Sequence, residues 1–157
     1  VARRGRSSVS RRMNQRRLLL DVMCGGLRSY LRMCGHDTSY ALDYDVEADD
    51  RLIAIARTED RTLITRDRQL ATRTDTAILL ESTDTEEQLR TLQNAGIRLT
   101  LIEPTRCSRC NGRLEPTSDS RPDDVPEERR VWRCENCGQW FWKGSHWNRV
   151  RTTLQSI

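Results

Sequence analysis

"RTLITRDRQL", residues 61–70, runs Leu63, Ile64 and Thr65 into Asp67. The run has the length of a buried strand, and the carboxylate stands just past its end. "RLLLD", residues 17–21, repeats the arrangement with Leu18, Leu19, Leu20 and Asp21. Working outward, Leu27, Tyr30, Leu31 and Cys34 fall at i, i+3, i+4 and i+7, one face of a helix that Gly35 ends. "TSYAL" (38–42) reads as a second strand, and Asp49 takes the N-cap place ahead of Leu52, Ile53, Ile55 and Ala56. "TLIT" (62–65) and "TAILL" (76–80) are the third and fourth strands. Thr85-Glu86-Glu87-Gln88 fits a capping box that opens a helix through Leu89 and Leu92, closed by Gly96. This alternation predicts an α/β fold with a mainly parallel sheet flanked by helices.

Composition narrows the class. Of the 157 residues, 36% are hydrophobic and 32% charged, so the core is modest. No apolar run approaches the ~20 residues needed to cross a bilayer, and the N-terminal stretch lacks the apolar segment of a signal peptide. A soluble, cytoplasmic protein without membrane contact is expected. The total charge is +4, yet residues 1–17 hold seven arginines and no acid, which leaves −3 on the rest. Residues 1–16 therefore read as a basic, disordered tail. It is either a passive leader, with Met13 an alternative start, or an arm that neutralises phosphates.

From Pro104 the texture changes. Four of the six cysteines and all four tryptophans lie between 107 and 147. The expected division is an α/β domain over 17–103, a small module over 104–149 and a C-terminal tail over 150–157. Cys107 and Cys110, then Cys134 and Cys137, form two C-x-x-C pairs separated by 23 residues. Each pair can present two thiolates to one tetrahedral ion, and a hairpin would join the two knuckles into a structural zinc site. Two disulfides or four buried thiols are the alternatives. The missing export signal argues against the first, the regular pairing against the second. Cys24 and Cys34 read as core residues. His36 and His146 stand alone, with His146 a candidate for stacking or phosphate binding.

Asp21 and Asp67 end strands, and Asp49 opens a helix between them. In an open parallel sheet, ligands bind beyond the carboxyl ends of the strands. Carboxylates gathered there repel by about 4 kcal/mol at ~4 Å separation, and a divalent cation relieves that repulsion. Oxygen ligands favour Mg²⁺ or Mn²⁺. The plainer reading makes each aspartate a cap or turn residue.

"LLLDVMCGGLRSYLRMCGHDTSYA" (18–41), "ADDRLIAIARTEDRTLITRDRQLA" (48–71), "CSRCNGRLEP" (107–116) and "WRCENCGQWFWKGSHW" (132–147) together resemble the PIN-like family called the mut-seven C-terminal RNase domain. The "TRD" strand end and the closing "W-x-G-S-H-W" are its most specific motifs. The resemblance implies a PIN-like nuclease fold followed by a zinc ribbon, with PIN acidic positions at Asp21, Asp49 and Asp67. A fourth acid is common in such nucleases; Asp43, Asp45 and Asp50 are candidates, Asp84 a weaker one. The implied activity is Mg/Mn-dependent hydrolysis of RNA, its strand single. Arg66, Arg68, Lys143 and His146 are the candidate phosphate contacts. Trp140, Phe141, Trp142 and Trp147 interleave with Lys143, His146 and Arg149, which suits base stacking or, more simply, the ribbon's own core. The competing reading is a non-catalytic RNA-binding protein or a protein-binding adaptor built on the ribbon.

Overall fold

The computed structural model describes residues 15–46 and 48–157. Its first strand, β1 (Arg17–Leu20), is followed by a 3-10 turn (Val22–Leu27), α1 (Arg28–Met33), β2 (Asp37–Tyr40) and a second 3-10 turn (Ala41–Tyr44). Then come α2 (Asp49–Thr58), β3 (Thr62–Thr65), α3 (Arg68–Arg73), β4 (Ala77–Leu79) and α4 (Thr85–Asn94). Leu18, Leu19 and Leu20 are all fully buried, as a central parallel strand covered on both faces requires. The sheet is wholly parallel in the order β2-β1-β3-β4. Leu18, Leu20 and Ile64 point to one layer with Leu27, Leu31, Leu89 and Leu92. Leu19 and Leu63 point to the other, against Leu52, Ala56 and Leu70. The two-residue period thus divides the core into two helical layers.

The chain leaves β1 toward β2 on one side and returns to β3 on the other. The strand order therefore reverses between β1 and β3, the place where an open sheet leaves a crevice at its carboxyl edge. "TSYAL" pairs only as far as Tyr40; Ala41 and Leu42 turn off into the second 3-10 turn.

Two caps lie one residue from where the pattern puts them. Ala48, not Asp49, has the extended N-cap conformation of α2, and Asp49 and Asp50 occupy its first turn, where carboxylates meet the positive end of the helix dipole. Asp84, not Thr85, caps α4, its Oδ2 accepting from the Glu87 N–H at 3.1 Å. Asp competes well with Thr at this position, and both precede the same apolar stripe.

The second sheet is antiparallel: β5 (Leu114–Thr117), β6 (Val131–Cys134) and β7 (Trp140–Phe141), with β6 central. Trp132, Phe141 and Trp147 stack edge to face in a chain, each neighbouring pair of rings 6.1 Å apart. Boundaries at 104 and 149 do not divide the core. One apolar cluster runs from Leu18 and Leu20 through Leu114 and Trp132 to Val150 and Leu154. Nor do residues 150–157 form a tail: most belong to α5 (Ser145–Gln155), held by the buried Trp147, Val150 and Leu154. Their i, i+3, i+7 spacing makes one apolar face.

The expected basic tail lies outside the described residues except for Gln15 and Arg16. Arg16 is already tied in, its N–H donating to Nδ1 of the fully buried His36 at 3.0 Å. Nε2 of His36 lies 2.7 Å from the Arg98 carbonyl, so the neutral ring with its proton on Nε2 satisfies both contacts. Burial lowers the pKa of His36, although the Arg98 carbonyl opposes this. The native state thus resists a proton that the unfolded chain accepts below about pH 6.5. Stability should fall with pH from that point downward, until the lower folded pKa is passed. We expect His36→Gln to be less stable at pH 7 by about 1–3 kcal/mol. Its stability should also decline less than the wild type's between about pH 7 and pH 5 in denaturant titrations.

Candidate functional site

The four ribbon cysteines come from two tight turns. Cys107 and Cys110 precede β5, with the Cys107 carbonyl accepting from the Asn111 N–H at 2.9 Å. Cys134 ends β6, its carbonyl accepting from the Gly138 N–H at 3.0 Å, and Cys137 lies inside that turn. Asn111 and Gly138 supply the positive φ, 71° and 76°, that such turns need. All four sulfurs lie within 4.8 Å of one another, with Cys107–Cys137 at 3.7 Å and Cys110–Cys134 at 3.5 Å. A zinc ion with sulfur ligands at ~2.3 Å spans a tetrahedron with edges of about 3.8 Å. The spacing suits a thiolate-bound metal and excludes disulfides, whose sulfurs sit about 2 Å apart. N–H groups of Gly112, Asn136 and Cys137 point at the sulfurs of Cys110 and Cys134. Burial raises the Cys110 thiol, but the Asn136 side chain and the Gly112 N–H outweigh it and bring the thiol down to about 7. A Cβ on Gly112 would stand 2.7 Å from the Cys134 sulfur. A metal held by all four sulfurs would have no open coordination position left. Cys24 and Cys34 are buried apart from it, their thiols pushed up by burial to about 11 and about 12, as inert core residues.

The knuckle is also a joint. Oδ1 of Asn111 accepts from the Thr38 N–H of β2 at 3.0 Å, and its Nδ2 donates to Oδ1 of Asp37 at 2.8 Å. Asp37 also receives Arg61 at 2.9 Å and Arg17 at 3.2 Å. Arg32, 1% exposed, donates to the carbonyls of Thr38 and Ser108 and to Asp43. Burial lowers its pKa, and Asp43 partly restores it.

At the carboxyl edge of the parallel sheet, Asp21 is only 8% exposed. Its Oδ1 accepts from the Val22 N–H at 2.8 Å and its Oδ2 from the Thr65 hydroxyl at 2.7 Å. That same hydroxyl oxygen accepts the N–H of Asp67 at 3.0 Å, so Thr65 links the two strand-end aspartates. Asp67 caps α3 through Oδ1, which accepts from Gln69 and Leu70. Asp49 stands 3.9 Å from Arg73, and Asp50 pairs with the same arginine. Asp21 and Asp67 are thus joined, while Asp49 is turned to Arg73. Among the described residues, the only group of three or more Cys, His, Asp or Glu side chains close enough to share an ion is the cysteine quartet. Thr65 sits in the "TRD" motif without announcing its bridging role. Arg73 carries no sequence signal at all.

The remaining candidates divide. Asp43 pairs with Arg32, and Asp84 is a helix cap. Asp45 is exposed in a left-handed conformation, φ 55°. Arg68 pairs with Glu81 at 3.2 Å. Lys143 pairs with Glu103 at 2.8 Å and covers the Trp147 ring at 5.1 Å. Arg66 is half-buried beside Cys24. His146 is exposed on the first turn of α5, its pKa lowered by partial desolvation and by Arg149. Among the ribbon rings, Trp132, Phe141 and Trp147 form core, and half-buried Trp140 carries Arg133 over its face. No described helix is long and apolar enough to cross a membrane.

A family model described as Mut7-C RNAse domain matches residues 16–154. No curated protein and no solved structure matches the chain.

Purified, tag-free protein should carry about one equivalent of thiolate-bound metal by elemental analysis, and Cys134→Ser should lose it. Because Asn111 docks the knuckle on β2, metal loss should also speed hydrogen exchange at the Thr38 amide. Asn111→Gly, which keeps the turn but removes the side chain, should speed the same amide with the metal retained. Unchanged Thr38 protection in both would show that the two sheets are independent.

Proposed function

The chain belongs to the Mut7-C RNAse domain family, and from that premise we propose that it hydrolyses RNA phosphodiester bonds with Mg²⁺ or Mn²⁺ held by Asp21, Asp49 and Asp67. We further propose zinc as the ion of Cys107, Cys110, Cys134 and Cys137, with a structural role. The observation that carries the catalytic reading is the bridge of Thr65 between Asp21 and Asp67 at the reversal of strand order. It holds the Asp21 carboxylate and the Asp67 backbone together, and the cap of α3 orients the Asp67 carboxylate, at the edge where an open sheet offers its crevice.

The donor chemistry fits a hard divalent cation, since all three groups offer oxygen alone. Oδ2 of Asp67 accepts no hydrogen bond among the described residues, its partner oxygen being occupied by the cap. Arg73 balances Asp49 and Asp50, so a cation at Asp49 competes with it for the same carboxylate. When bound, such a cation polarises the phosphoryl oxygen and activates water for in-line attack. The chain's own groups do the positioning. The Val22 N–H and the Thr65 hydroxyl hold Asp21 in one orientation, and the start of α3 holds Asp67. Arg66 and Arg68 flank Asp67 and would hold substrate phosphates in this reading, for which Arg68 has to leave its exposed partner Glu81.

Asp67→Asn tests this cleanly. Asn is as good an N-cap as Asp, so folded stability should stay within about 1 kcal/mol. Single-turnover cleavage of labelled single-stranded RNA, by contrast, should fall by orders of magnitude, as it should for Asp21→Asn and Asp49→Asn. Wild-type rates in all three folded variants would reduce the aspartates to caps and turns. A wild type inactive on every RNA, with Mg²⁺ and with Mn²⁺, would favour the binding or adaptor reading.

A further inference from the structure

A groove of about 690 Å³ lies between α5 and the segment formed by the first 3-10 turn and α1. That volume is in the range of ligand clefts. The residues that give it chemistry are Gly26, Ser29 and Tyr30 on one wall and His146, Arg149 and Thr153 on the other. No carboxylate lines it. Neither α1 nor α5 contains an acid, although the chain after residue 17 is net negative. The side chains of Arg149 and His146 are exposed and make no hydrogen bond or ion pair among the described residues, whereas Lys143, Arg130 and Arg68 are all matched to glutamates. The groove opens at Gly26, where a Cβ would meet nothing within 4 Å, in the same 3-10 turn that Asp21 caps. The preceding Gly25 is closed down on the Tyr40 ring, so the wall is fixed just where the groove begins.

We infer that this groove binds single-stranded RNA, carrying the strand from the carboxylate edge along α5. The inference rests on the ribonuclease reading for the identity of its ligand, and not on catalysis. Arg149 and His146 are placed for phosphates. Ser29 and Thr153 offer hydroxyls to the ribose 2′-OH. The half-buried ring of Tyr30 offers a face to an unstacked base, which a duplex would keep hidden.

The test measures equilibrium binding of a fluorescent single-stranded RNA in the Asp67→Asn background, where cleavage does not obscure it. Arg149→Gln should weaken binding about tenfold and lower the salt slope by about one. Arg149→Glu should weaken it further. The matched change Arg57→Gln, at the opposite end of α2, should leave both unchanged. RNA bearing 4-thiouridine should crosslink to peptides containing Tyr30 or residues 146–153. Wild-type affinity and salt slope in both Arg149 variants, crosslinks only elsewhere, or a duplex competing as well as the single strand would overturn the proposal. A wild type that binds RNA through the groove but never cleaves it would leave this inference standing and sink the catalytic one.

Discussion

A single guanidinium, that of Arg32, holds the molecule together where four segments meet. It rises from α1 into a fully buried position and is satisfied by the Thr38 carbonyl of β2, the Ser108 carbonyl inside the first knuckle and Asp43 in the turn after β2. A buried charge costs several kcal/mol to desolvate, so each of these partners is a condition for the fold. Among the described residues no buried polar side-chain atom lacks a partner. The position of the cysteine knuckle is therefore set from inside the α/β layer, and the layer's outer strand is set by the knuckle in return.

The two sheets share these contacts and one apolar cluster. Cys107 and Cys134 are themselves buried in the cluster that includes Leu18 and Leu31. Binding energy at four thiolates is folding energy where the site does not pre-exist in the unfolded chain. A metal at these thiolates would act next to the contacts that Asn111 and Arg32 make between the knuckle and the parallel sheet. The carboxylate edge lies at the far ends of the same strands, with Asp21 one residue beyond β1.

Much of this is legible in the sequence alone. The strands are short apolar runs between polar residues, and the cysteine spacing has few other readings. The parallel order follows from the helices between the strands. Asp84 and Thr85 both cap well before the same apolar stripe, which blurs that boundary, whereas Ala48 is a poor cap residue with no side-chain bond and nothing in the sequence favours it over Asp49. The last helix was hidden for another reason. Trp147, Val150 and Leu154 have helical spacing, but the aromatic-rich ribbon looked able to close its own core, which left the end of the chain without an apparent partner. Arg32 was illegible because 26 arginines look alike in sequence, and only burial separates the one that is structural.

The hydrogen bond from Thr38 to Asn111 has one more consequence. A parallel sheet of four strands has two free margins, each a template on which another chain can add a strand. On the β4 side the margin is three residues long, a length that offers little to pair with. On the β2 side the ribbon covers it, with an asparagine side chain standing where a neighbouring backbone would bind. Were the knuckle to unfold, that margin would be uncovered and open to strand pairing with another chain, an association that the folded knuckle blocks.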